Sequence, residues 1–271
     1  MKTVFTHILI LVAAVVGLTA LTTESTVDFP AGIDHDPWDR LVREYVDDRG
    51  LVDYARWKAS DEDVQTLKGY LEQYAPASEE PATGDDKIAG LINAYNAFTI
   101  EFILDNHPTE SIRALDDPFD GERHLVGGEK VSVDRIEHQA LRPIIGWKVH
   151  SVVVCAARSC PPLLNRAYYA EDWEEKMEER YRVWLAREDL NRYDTGRWRN
   201  TVEVSRIFRW YSEDYTGENR IENVIKRFGP EEYREFFEDG FRVTYMDYHW
   251  GLNDQSDLGK DYRHSLIRSL F

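Results

Sequence analysis

Lys87-Ile-Ala-Gly-Leu-Ile-Asn-Ala-Tyr-Asn-Ala-Phe-Thr-Ile-Glu-Phe-Ile-Leu-Asp-Asn106 is the stretch on which the reading of the fold turns. Ile88, Leu91, Ile92, Tyr95, Phe98, Thr99, Phe102 and Ile103 occupy nearly every side of a helical wheel. The spacing therefore predicts a central helix buried all round, not an amphipathic surface helix. Asn93 and Asn96 stand inside it. Asn is a weak helix former, and two buried carboxamides either tie down loops or meet a ligand. His107-Pro108 ends the helix, because the residue before a proline is pushed out of the helical region.

Working outward, Trp38, Leu41, Val42 and Tyr45 have the spacing of an amphipathic helix, as do Val64, Leu67, Tyr70, Leu71 and Tyr74. Residues 76–86 form a polar loop too short to separate two domains. Downstream, Gly127-Gly128 predicts a hairpin between short strands, the second containing Lys130-Val131-Ser132. Ser132 is a natural N-cap for a helix carrying Ile136, Glu137, His138 and Leu141. The β-branched run within 147–155 predicts a buried strand. A charged helix follows over 171–187, with Trp173, Met177, Tyr181 and Trp184 as its inner stripe. Residues 201–204 read as a strand leading to an aromatic knot of Ile207, Phe208, Trp210 and Tyr211. Short helices are expected over 221–228 and 231–237, and a last strand over 243–250. The class is α+β: a helix-rich single domain with a small central, mainly antiparallel sheet.

The chain has 271 residues, and 33 Lys+Arg against 50 Asp+Glu give it a formal charge of −17. Such a surface repels phosphates, which argues against nucleic acid as a partner. An apolar content of 42 % with 13 % aromatics is enough for a full core. Arg outnumbers Lys 24 to 9. Many acids with little Lys fit a surface that stays solvated in concentrated salt. The first 23 residues read as a secretory signal peptide: a positive start at Lys2, an apolar run over 4–20, then small polar residues. The run is at the short end of what crosses a bilayer, so cleavage near 20–23 is expected, leaving one globular domain over 24–271. The expected location is exported, periplasmic or extracellular, with no stable membrane insertion once the leader is gone.

Export gives weight to the only two cysteines, Cys155 and Cys160, which are either a disulfide or a reactive thiol site. A thiol nucleophile needs its thiolate form, which Arg158 nearby favours, and an imidazole base, for which His138 and His150 stand close in sequence. His124 is a weaker candidate and is expected to be exposed. On a strand, His150 and Cys155 differ by an odd number and point to opposite faces. Glu137 and His138 are adjacent on a helix and do not face each other. No zinc-ligand spacing, Gly-rich phosphate loop, nucleophile elbow or nucleotide fingerprint occurs, so neither a metal nor a cofactor is expected.

Four stretches in order resemble the signatures of the domain-of-unknown-function family numbered 547. They are Leu91-Ile-Asn-Ala-Tyr-Asn-Ala-Phe-Thr-Ile100, Val131 to His138 with Leu141-Arg142-Pro143, His150 to Leu163, and Val204-Ser-Arg-Ile-Phe-Arg-Trp-Tyr211. Cys155-Ala-Ala-Arg-Ser-Cys-Pro-Pro162 is the sharpest of them. Residues 245–254 resemble the family's closing strand, with His249 as a departure. The resemblance covers about 52–215, agrees with an exported bacterial protein, and implies little about activity.

Two functions of different kind follow. One is an exported thiol-dependent enzyme acting on an amide, peptide or thioester bond by covalent cysteine catalysis. Cys155 or Cys160 would be its nucleophile, His138 or His150 its base, and Glu137 the orienting carboxylate. Asn93, Tyr95, Asn96, Arg158 and Ser159 would position a small-molecule or peptide ligand. The other is a non-catalytic binding or scaffold domain held by a Cys155–Cys160 disulfide. A third, redox-active pair lies between them. On either reading Asn93-Ala-Tyr-Asn96, Glu137-His138 and the 150–160 stretch are expected to meet in one cleft, because buried amides, imidazoles and thiols are costly to carry separately. Charge makes a separate prediction. Self-repulsion is screened over roughly 3 Å at 1 M salt, so the melting temperature should rise from low to molar sodium chloride. A flat or falling thermal-unfolding series would count against salt adaptation.

Overall fold

The computed structural model describes residues 27–194 and 200–262; the leader expected over 1–23 lies outside the described residues. Helix α1 (Asp36–Tyr45) starts on Pro37 and acidic residues that suit a helix N-terminus, and it buries Trp38, Leu41, Val42 and Tyr45 as the spacing predicts. After α2 (Tyr54–Lys58), α3 (Asp61–Glu72) is capped by the Ser60 hydroxyl, which accepts from the Asp63 N–H. Flat ring contacts lock these helices together: Trp38 stacks on Tyr70 and Tyr45 on Trp57. They wrap α4 (Gly84–Asn106), which is buried on nearly all sides. Gly90 is required there, since the Phe29 ring occupies the place a Cβ would take.

Strands β1 (His124–Val126) and β2 (Glu129–Val131) form the expected antiparallel hairpin. Its turn residues Gly127 and Gly128 adopt φ of 60° and 83°, a conformation glycine takes without strain. Ser132 then caps α5 (Val133–Arg135), its hydroxyl accepting from the Arg135 N–H at 3.1 Å. The helix widens to a π turn over Ile136–Leu141 before α6 (Arg142–Ile145), and a 3-10 turn follows over Gly146–Ser151. Later come α7 (Trp173–Ala186), β3 (Arg192–Asp194), β4 (Asn200–Val204), α8 (Ile207–Trp210), α9 (Ile221–Phe228), α10 (Arg234–Glu238) and β5 (Phe241–Tyr245).

The architecture is helix-rich α+β, and the buried side chains form one cluster. Its strands fall into two sheets. The β1–β2 pair stands apart, while β3 pairs antiparallel with β4, and β4 pairs parallel with β5. Among the described residues no helix is long and apolar enough to cross a membrane.

Three local expectations are corrected. Residues 147–155 are not a strand: the chain makes the 3-10 turn, then runs irregularly through Val153–Cys155. The cause is the Asn96 carboxamide on α4. Its Nδ2 donates to the Val152 carbonyl at 2.8 Å, and its Oδ1 accepts from the Val154 N–H at 2.9 Å. The segment's backbone groups are thereby satisfied without a neighbouring strand. The closing strand stops at Tyr245, and β5 makes its last backbone bond from the Met246 N–H to the Val204 carbonyl. His124 is buried against Phe98, at a ring distance of 4.2 Å, instead of exposed.

Replacing Asn96 by Ala would strand two buried backbone groups. The expected cost is about 2–4 kcal/mol, read as a lower denaturant midpoint. A loss below about 0.5 kcal/mol, the range of an uninvolved surface change, would contradict the clamp.

Candidate functional site

The segments that the sequence sets far apart converge on a cavity of about 330 Å³. Tyr95 reaches it from α4, Glu137 and His138 from the π turn, His150 from the 3-10 turn, and Cys155 and Cys160 from the irregular segment beyond. Tyr211, Trp210, Tyr248, Trp250 and Phe119 supply aromatic wall, and Arg113 and Asp120 also line it.

Local backbone explains two of these placements. Glu137 and His138 both line the cavity, although α-helical neighbours diverge. In the π turn each N–H reaches back five residues, so successive side chains rotate apart by less. His150 and Cys155 share the cavity because the segment between them is not a strand, so strand alternation does not separate them.

Cys155 and Cys160 are joined in a disulfide, with Cα atoms 6.3 Å apart. The bridge is held from two sides. The Cys155 backbone N–H points at the Cys160 sulfur at 3.2 Å, and the Tyr248 hydroxyl lies 3.2 Å from each sulfur. Burial pushes the Tyr248 phenol well up, so it remains protonated and able to donate. Of the two sulfur residues, Cys160 is buried and Cys155 partly open.

The histidines are held by carboxylates other than Glu137. His150 meets Asp214 through Nε2 at 2.7 Å and stacks on Tyr211 at 4.3 Å. His138 Nε2 lies 3.3 Å from Asp134, while its Nδ1 accepts from Arg142 at 3.0 Å. Arg142 forks onto Asp214 at 2.9 and 2.8 Å and onto Glu213 at 3.1 Å. Burial pushes the Asp214 carboxyl up, yet the hydrogen bonds from Arg142 and His150 outweigh it and hold the group below its ordinary range. Burial lowers His150 from 6.5 to about 4, outweighing the Asp214 charge that pulls the other way. A neutral His150 donating from Nε2 keeps its basic lone pair on Nδ1. Glu137 is buried and accepts from the Tyr95 hydroxyl; burial raises its carboxyl against the opposing pull of His138, Tyr95 and Arg142.

The other expected ligand-positioning residues face elsewhere. Asn93 clamps Tyr168, donating to its carbonyl at 2.7 Å and accepting its N–H at 2.9 Å, as Asn96 clamps Val152 and Val154. One guanidinium nitrogen of Arg158 donates to the carbonyls of Asp254, Ser256 and Leu258. The Ser159 hydroxyl accepts from the His249 N–H at 2.9 Å. Sequence reasoning missed Asp214, Tyr248, Arg142 and Arg113 as cavity groups or their direct partners. Arg142 and Tyr248 lie in the quoted motifs and Asp214 just beyond the aromatic knot, but no spacing links them to the cysteines. Among the described residues no group of three or more His, Cys, Asp or Glu is placed to hold a metal ion.

Fold and site together define a helix-rich α+β protein with a disulfide set in the wall of an aromatic cavity. Residues 80–185 match the model of the family described as "Protein of unknown function, DUF547", and over this segment the chain is similar to that family. The match spans α4, the π turn, the 3-10 turn and both cysteines, and it ends before Asp214 and Tyr248. No curated protein and no solved structure matches the chain.

The His150 environment sets a pH dependence. As the pH falls, the unfolded chain protonates this imidazole near 6.5 but the folded chain only near 4. Its stabilising contribution is therefore complete above about 6.5 and lost as the pH drops toward 4. In a series of thermal melts across that window, the wild type should lose more melting temperature than His150→Gln. Equal losses would contradict a buried neutral imidazole.

Proposed function

We propose that the protein is a thiol-dependent enzyme that acts on a small molecule through the Cys155–Cys160 pair. The observation that carries this reading is the presence of both sulfurs in the cavity wall, beside Glu137, His138 and His150. A bridge serving only as a staple has no reason to face a cavity. The volume stands at the low end for ligand pockets, which suits a small molecule.

While the bridge is closed neither sulfur has a lone nucleophilic thiolate, so the chemistry open to this state is thiol–disulfide exchange. A small-molecule thiolate attacks the Cys155 sulfur, the more accessible of the two. The S–S bond breaks, and its electron pair leaves on the Cys160 sulfur, where the Cys155 N–H and the Tyr248 hydroxyl receive the charge. A second thiolate displaces the Cys155 sulfur from the mixed disulfide. The balance is one bridge reduced by two electrons and two thiols oxidised to their disulfide.

A second reading is favoured by the Asp214–His150 pair. In the opened state Cys155 would attack an amide, peptide or thioester carbonyl, with neutral His150, oriented by Asp214, as its base. That is the hydrolase side of the proposal. Export belongs to it too, supported by the apolar leader and by a bridge that suits an oxidising compartment. The acidic surface supports salt adaptation.

The test is native-state bridge opening in millimolar mercaptoethanol, followed by alkylation and mass measurement. Both sulfurs should become alkylatable without unfolding. Tyr248→Phe should slow opening roughly tenfold, the worth of a hydrogen bond to a developing charge. In Cys160→Ser, with the disulfide of mercaptoethanol added as the oxidised partner, the Cys155 thiolate should displace one mercaptoethanol and accumulate as a mixed disulfide. Opening only on denaturation would overturn the proposal and leave the bridged binding or scaffold domain.

A further inference from the structure

We infer that Arg113 makes the cavity selective for small thiols that carry a carboxylate. This rests on the exchange reading and names the substrate class for it.

Most charged groups around the cavity are already engaged. Asp134 faces His138, Glu137 accepts from Tyr95, and Arg142 is spent on Asp214, Glu213 and His138. Arg113 differs. Its guanidinium lies over the Trp250 ring at 5.0 Å. No described carboxylate comes within ion-pair distance of it, Asp120 on the same lining included, in a chain where acids outnumber Lys and Arg 50 to 33. A guanidinium stacked by its face keeps its N–H edge for a planar two-oxygen acceptor, and a carboxylate matches that fork.

The placement is built into the backbone. Arg113 sits in the 3-10 turn Ile112–Ala114, whose preceding Ser111 hydroxyl accepts the Arg113 N–H at 3.1 Å. The same hydroxyl donates to the Trp250 carbonyl at 2.6 Å, and the Leu252 N–H reaches the Glu110 carbonyl at 2.8 Å. Cation and ring are thus fastened to each other across the chain. The aromatic wall of Phe119, Trp210, Tyr248 and Trp250 takes the apolar body of a ligand between Arg113 and the bridge. Long-range electrostatics work against this preference, because a chain of charge −17 repels anions at a distance. A preference for an anionic thiol would therefore have to come from a local cation.

Three thiols of similar size separate these effects: anionic mercaptopropionate, neutral mercaptoethanol and cationic cysteamine. Native bridge opening is measured by alkylation, with rates expressed per thiolate. Mercaptopropionate should be roughly tenfold faster than mercaptoethanol in the wild type. Arg113→Gln should abolish that advantage, read as the ratio of the mercaptopropionate to the mercaptoethanol rate in the same variant, and Arg113→Lys should keep only part of it. Equal rates for the three thiols, a cysteamine preference, or an advantage surviving in Arg113→Gln would overturn the anchor and leave exchange standing. Opening by none of the three would overturn the exchange reading and the anchor with it.

Discussion

Asn96 turns its carboxamide from the buried face of α4 toward the chain at 152–154, and both halves of the amide are used there. That pair of hydrogen bonds replaces the ladder that a strand would need. In an apolar interior each unmet backbone group costs on the order of 1–3 kcal/mol, so the segment stays where the amide holds it. Everything at the site inherits this position: Val153 and Cys155 on the cavity wall, the bridge to Cys160, and the turn at Ala156–Ala157. Asn93, three residues earlier on the same helix, does the same for Tyr168. One rigid helix thus anchors two returning segments by side chains alone.

A second layer of order comes from Arg142. Its planar fork joins Asp214, Glu213 and His138, and through Asp214 it reaches His150. The acids around the two histidines are therefore balanced locally, not left to repel each other. Low polarity then sets the protonation states: His150 stays neutral and the buried Glu137 is driven toward its protonated form. The bridge sits beside this polar group, with Tyr248 as its own donor.

The parts of the fold that were legible in sequence are those whose cause is local. The all-round apolar stretch of α4, the Pro37 start of α1, the Ser132 cap and the Gly127-Gly128 turn each follow from residues within a few positions of one another. The 147–155 strand failed for the opposite reason. β-branched residues mark a buried extended chain, but whether it joins a sheet depends on what satisfies its backbone, and here a helix side chain does. The sheet divided in two because pairing partners such as β4 and β5 are set by packing between distant segments. At the site, the cysteines, histidines, Tyr95 and Glu137 were legible as chemistry. Asp214, Tyr248 and Arg113 were not, since each acts through a contact of more than fifty residues' separation or through the absence of a partner.

By itself the sequence determined the helix-rich class, the acidic surface, the buried central helix and the short list of reactive side chains, because composition and spacing act along the chain. Only the tertiary structure decided which of them share a cavity, which carboxylate holds which imidazole, and that the two sulfurs are bridged in its wall. Those outcomes depend on distances of a few ångströms between segments far apart in sequence, where hydrogen bonds and burial act through space and leave no period or motif behind.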